Sequence, residues 1–287
     1  MTPKRSSALL VAAFCVVGTA RTACAEGRGT APLDTVPMTP KLSPWDQGNW
    51  RPFVGGHVDV GVIFARPAIM AGWGQPHWMW FGVEAYALTT NSFFATYVGT
   101  VAHLPIADLS FGLRDNWSYV RSLLPPKTSY AAEDVDDVHG AHARYLALDT
   151  ELSLVAPLPG GFAFGGVLAT TVLDVPSDRY VYEEGMRAIL RPPFAADFRL
   201  GYLLKLGPED VVKAGVLTET VVLPHRDGPI FRAGPVVSVS LTEHTEGIFV
   251  FTAVLRSPDS LGIWHGPYGF LGVRYRFATG DAAPKFP

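Results

Sequence analysis

Apolar and polar residues alternate, one by one, along four long stretches of this 287-residue chain, at 107–114, 145–154, 194–205 and 211–221. All nine charged residues of these stretches fall on the less apolar side of the alternation. Successive side chains of a β-strand point to opposite sides of a sheet. The pattern therefore predicts strands that each have one apolar and one polar face.

Seven further segments alternate less clearly, and no segment predicts a convincing helix. Most of the eleven strand candidates are roughly 10–12 residues long, whereas strands of soluble proteins most often have about 5–6 residues. A tilted strand that crosses a membrane needs about 9–11 residues. These further candidates are 53–64 and 78–88, and the weaker ones 92–103, 162–173, 231–241, 247–256 and 268–277.

Short and long connections alternate between these candidates, which is typical of outer-membrane barrels. We expect long links at 118–144, 174–193, 223–230 and 257–267. A further long link, 65–77, falls on the side of the short turns, which indicates that a strand near the N-terminal end has been missed, split or merged. Because single-chain bacterial barrels normally have an even number of strands, we predict twelve strands, with ten as the alternative. The predicted fold is an all-β, antiparallel, up-and-down transmembrane barrel over residues 50–277.

The N-terminus predicts export. Lys4 and Arg5 precede the apolar run 8–17, and the small residues that follow end at Ala25. This order is typical of a secretory signal peptide, which we predict at 1–25, followed by a flexible leader at 26–49. A lipoprotein site at Cys24 is the alternative. The formal net charge of −3 gives no basic excess, which argues against a nucleic-acid partner.

No later apolar run reaches the roughly 20 residues of a membrane helix, so a membrane-spanning form of this chain must be a closed barrel. Aromatic residues gather near the ends of the strand candidates, as expected where hydrocarbon meets water. We therefore predict that the apolar faces point outward to lipid and the polar faces inward. These aromatic residues are Trp50, Phe53, Trp117, Tyr119, Phe194, Tyr202, Tyr268, Tyr275 and Phe277.

The last candidate strand carries Leu271, Val273, Tyr275 and Phe277 at alternating positions. It resembles the C-terminal strand of bacterial outer-membrane β-barrel proteins. In that class, an aromatic residue normally ends the chain, whereas a tail, 278–287, follows it here. The resemblance implies an outer-membrane location, lipid as the surroundings, and the barrel-assembly machinery as a partner during biogenesis.

An outward apolar face would place the charged residues of the strands in one shared lumen. Buried charges must pair or form hydrogen bonds. We therefore predict a largely occluded, salt-bridged lumen with a structural role, and keep a narrow path for a small solute as the alternative. Arg276 shares this face, and the residues predicted to line the lumen are His57, Asp59, Glu84, Asp108, Arg114, Asp149, Glu151, Asp197, Arg199, Lys213, Glu219, Arg232 and Arg274.

Other motifs give weaker hypotheses. The segment 134–142 combines carboxylates and imidazoles, but its spacing fits no known metal-binding loop, so we expect a solvated outside loop. Asp259, Ser260 and His265 form the nearest grouping to a hydrolase triad. We predict neither catalysis nor a cofactor or metal. The alternatives are an outer-membrane barrel hydrolase and a soluble periplasmic barrel that binds an apolar ligand.

The segment 180–187 suggests a short helix or a loop cap, at or over the barrel mouth.

Overall fold

The computed structural model describes residues 49–121, 123–135, 142–176, 178–207 and 211–279. The predicted signal peptide and nearly all of the predicted leader and tail lie outside these residues. In chain order, the elements are β1 (Arg51–Gly61), β2 (Phe64–Gln75), β3 (Met79–Thr90), β4 (Phe93–Leu104), β5 (Ala107–Arg121), β6 (Leu123–Leu124), α1 (Ala132–Val135), β7 (His142–Leu158), β8 (Gly161–Val172), β9 (Tyr180–Glu183), β10 (Ala188–Leu190), β11 (Phe194–Leu206), β12 (Val212–Val222), β13 (Ile230–Ser240), β14 (Thr245–Arg256), α2 (Gly262–His265) and β15 (Tyr268–Ala278).

Twelve of these strands form a closed antiparallel barrel in which sequence neighbours pair. β1 pairs with β15 and closes the barrel, with Val58 opposite Tyr275. The prediction of a twelve-stranded antiparallel barrel is confirmed. The first and last strands begin and end at the same rim, which we call the terminal end, and the opposite rim is the loop end.

The strand that sequence analysis missed is β2. Residues 65–77 were expected to be a link, but Phe64–Gln75 pairs with both β1 and β3. Small residues on both faces hide its alternation. Pro67 has no N–H to donate, and the pairing with β3 is interrupted at Arg66 and Pro67.

The barrel has an apolar outer surface and a charged interior. Leu200 and Val216, at the middle of β11 and β12, are 64% and 61% exposed. Asp59 on β1 and Asp197 on β11 lie on the inward faces of their strands and are fully buried. The period of two found in the sequence thus separates these two environments.

Links at the terminal end are short, whereas four of the six links at the loop end are long. The long links contain a second, three-stranded sheet in the order β10-β9-β6, together with α1 and α2. Among the residues that the structure describes, no helix is long and apolar enough to cross a membrane.

Candidate functional site: a charged cavity beside an inserted hairpin

A hairpin from the loop between β8 and β11 is inserted into the loop end of the barrel. This inserted hairpin, residues 180–190, consists of β9, β10 and their turn. Val181, Met186 and Leu190 pack against Tyr145 and other inward-facing residues of the barrel wall. The segment 180–187 is therefore part of a strand hairpin and not a short helix.

The other face of the hairpin is covered by loops. Tyr182 and Ile189 pack with Leu124, Tyr130 and Leu261 in a second apolar cluster. This cluster joins the long links into one layer, which we call the loop layer. Because side chains alternate along a strand, the short hairpin contacts the barrel on one face and the loop layer on the other. This double contact fixes the hairpin in place.

Arg114 is the main polar anchor between the barrel wall and the inserted hairpin. Its Nη1 donates to Glu183 Oε1 at 2.7 Å and to Asn116 Oδ1 at 2.7 Å. Its Nε donates to Asp149 Oδ2 at 2.6 Å. Arg114 is 5% exposed and Glu183 is fully buried, so these charges have little access to water.

A second anchor lies on β12 and β13. Arg232 donates from Nη1 to Glu219 Oε2 at 3.1 Å and from Nη2 to the carbonyl oxygen of Arg187 at 2.7 Å. Nearby on β11, Arg199 Nη2 lies 2.7 Å from Asp197 Oδ2. Each of these carboxylates is almost fully buried, so each depends on its guanidinium.

The hairpin leaves a cavity of about 890 Å³ in the barrel, and residues of both rims line it. Ile63 and Phe93 belong to the loop end, whereas His77 and Pro105 belong to the terminal end. Of the residues predicted to line the lumen, the structure brings eight to this cavity: His57, Glu84, Asp108, Arg114, Asp149, Glu151, Arg199 and Arg274.

The other five predicted residues do not line the cavity. Asp59, Asp197, Glu219 and Arg232 are buried behind it in the ion pairs of the wall. Lys213 is half-buried on β12, where it lies opposite Lys205 in register.

Two arginines share one carboxylate on the β15-β1-β2 side of the cavity. Arg274 Nε donates to Asp59 Oδ1 at 2.7 Å, and Arg66 Nε donates to Asp59 Oδ2 at 3.0 Å. Arg66 also lies over the ring of Tyr86, with its guanidinium carbon 5.6 Å from the ring centre. Tyr86 stacks on Tyr97, with ring centres 4.7 Å apart.

Two residues in the links at the ends of the cavity have a shifted pKa. Burial lowers the pKa of His77, in the link between β2 and β3, to about 4. Burial raises the pKa of Glu184, in the turn of the inserted hairpin, to about 7, against the opposing effects of Arg187 and the Ser92 hydroxyl. His77 is therefore neutral at pH 7, and Glu184 is only partly ionised.

Residues of the two weaker motifs, the possible hydrolase grouping and the segment 134–142, make contacts within the loop layer. Asp259 Oδ1 accepts a hydrogen bond from the Tyr130 N–H at 2.9 Å and pairs with Arg226. The Ser260 N–H donates to the Tyr130 carbonyl oxygen, so Asp259 and Ser260 both hold the loop layer together. Asp134 pairs with Lys127, and most of the 134–142 segment lies outside the described residues. In the described part of the chain, no group of three or more His, Cys, Asp or Glu side chains is placed to hold a metal ion.

Several charged residues of the site were not among those predicted to line the lumen. Arg66 lies on the missed strand β2. Glu246 pairs with Arg276 at 3.0 Å and belongs to β14, which begins two residues before its predicted start. Glu183 and Arg187 lie in the hairpin, where no alternation between apolar and charged faces marks them.

Comparison with known proteins adds no family assignment. No protein-family model and none of the curated proteins compared matches the chain.

Proposed function

We propose that this chain is an integral outer-membrane β-barrel whose interior forms a narrow polar path for small solutes. The observation that carries the proposal is the inverted polarity of the barrel. Large aliphatic residues such as Leu200 and Val216 are exposed, and carboxylates such as Asp59 are buried. Extended exposed apolar surface marks contact with lipid or with another protein.

Aromatic residues support the membrane setting. Trp50, Trp73 and Phe81 are exposed near the terminal end, and Trp117 and Tyr119 are exposed near the loop end. Two such belts are typical of membrane barrels. The predicted signal peptide and the final strand, which resembles an outer-membrane assembly signal, support export and insertion by the barrel-assembly machinery.

A structural role is the second candidate, and the inserted hairpin favours it. The hairpin is anchored by Arg114 and Arg232 and packed on both faces. The cavity beside it, which has lining residues from both rims, favours the path.

The test is conductance of the purified full chain in planar bilayers, together with a variant in which residues 180–190 are replaced by a short Gly-Ser linker. We expect a small, steady conductance for the natural chain and a several-fold larger one for the variant. A matched control replaces Glu133, an exposed residue of α1, with glutamine and leaves conductance unchanged.

Other outcomes separate the alternatives. Conductance that is absent for the natural chain and present for the variant supports the structural role. A folded chain that stays in the aqueous fraction without detergent contradicts the membrane proposal and supports the soluble periplasmic alternative. Hydrolysis of lipid or peptide esters that is lost in Ser260→Ala supports the hydrolase alternative.

A further inference from the structure

Some arginines that line the cavity have a carboxylate of their own, whereas two others share a single carboxylate. Arg199 has its own carboxylate in Asp197, and Arg276 has its own in Glu246. Arg66 and Arg274, in contrast, share Asp59. This side of the cavity therefore carries one positive charge in excess.

Both of these guanidinium groups remain available to a solute. Asp59 is fully buried behind them, whereas the side chains of Arg66 and Arg274 are 31% and 26% exposed. Each arginine uses Nε and Nη2 on Asp59. Within the described part of the chain, Nη1 of each has no hydrogen-bond partner, and it can therefore donate to a bound anion.

Two carboxylates bring negative charge to the same cavity. Glu84 on β3 and Glu151 on β7 both line the cavity, and neither has a salt-bridge partner among the residues described. Glu84 lies opposite Met70 in register, and Met70 shares the inward face of β2 with Arg66. Groups of both signs therefore lie in the same section of the cavity.

From this arrangement we infer that the cavity selects small zwitterions of amino-acid type, and this inference rests on the proposed solute path. The carboxylate of such a solute meets Arg66 and Arg274, and its ammonium group meets Glu84 and Glu151. A simple anion is repelled by the glutamates and a simple cation by the arginines, whereas a zwitterion matches both signs. The stacked Tyr86 and Tyr97 give the same section an aromatic wall.

The test measures flux into proteoliposomes that contain the full chain, with four solutes of nearly equal size. They are alanine as the zwitterion, lactate as the anion, 1-amino-2-propanol as the cation and lactamide as the neutral molecule. We expect alanine to enter about two- to five-fold faster than each of the others, the range that partly exposed ion pairs give.

The matched variant is Glu84→Gln combined with Glu151→Gln, which removes the two carboxylates that have no salt-bridge partner among the residues described. Because neither glutamate holds an ion pair, we expect the barrel to fold as before, as judged by its migration on gels with and without heating. Lactate should then enter at least as fast as alanine. Glu133→Gln, at an exposed residue of α1, should keep the preference for alanine.

The outcomes distinguish this inference from the proposed function. Equal flux of all four solutes, or a preference for alanine that persists in the double variant, overturns the zwitterion inference and leaves the path standing. Flux no faster than in protein-free vesicles, for every solute, overturns the path and the inference together.

Discussion

Replacing Arg114 with leucine is expected to lower the free energy of unfolding by about 3–5 kcal/mol, the usual effect of removing one partner from a buried ion pair. Arg114 lies between Asp149 on the barrel wall and Glu183 on the inserted hairpin. Without it, two carboxylates with little access to water lose their cation. The hairpin should then leave the wall before the barrel strands separate.

Urea unfolding of the refolded protein in lipid vesicles, followed by tryptophan fluorescence, measures this change. Arg144→Leu is the matched control, since Arg144 pairs with Asp115 while its side chain is 67% exposed. We expect little change from it. Adding Glu183→Gln to Arg114→Leu should restore part of the lost unfolding free energy, because it removes one unpaired buried carboxylate. Equal effects of Arg114→Leu and Arg144→Leu would contradict the anchoring role.

Leu200→Arg is expected to reduce the stability of the folded barrel in a bilayer by about 2–4 kcal/mol, the cost of a cation at the membrane midplane. Leu200 is the central residue of the 13-residue strand β11, and its side chain is 64% exposed. An exposed arginine on a soluble protein carries no such penalty. The substitution therefore reports the surroundings of the outer surface and not the packing of the barrel.

Leu255→Arg is the matched control for depth. Leu255 is 71% exposed, but it lies beside the last residue of β14, at the loop end. The cost of a cation falls to about 0–1 kcal/mol near the membrane interface, so this variant should be nearly neutral. Urea titration of folding into vesicles, read from migration on unheated gels, measures both. Two small and equal effects would count against a hydrocarbon environment for Leu200.

The sequence was sufficient to predict most of the fold, because strand alternation is a local property of the chain. On β11, every second residue from Phe198 to Leu204 faces outward, and the charges alternate with them. β2 could not be predicted in the same way. Its inner face carries Ala68 and Met70 beside Arg66, so neither face is clearly polar.

The site was only partly predictable. Alternation placed Asp59, Arg114 and Arg274 on polar faces, but their partners depend on register and on residues far along the chain. Asp59 and Arg274 are 215 residues apart and meet only because β1 pairs with β15. Glu183 reaches Arg114 because a loop folds into the barrel, and no local pattern indicates that insertion.

The most direct test of the central claim is the accessibility of nitroxide labels in lipid vesicles. The chain has two cysteines, Cys15 and Cys24, both within the predicted signal peptide, so single cysteines can be introduced at Phe198, Val216 and Glu151. Labels at Phe198 and Val216 should collide with oxygen dissolved in the bilayer, and the label at Glu151 with a water-soluble nickel complex. The opposite result, with Phe198 and Val216 accessible to nickel and shielded from oxygen, would contradict a lipid-facing outer surface.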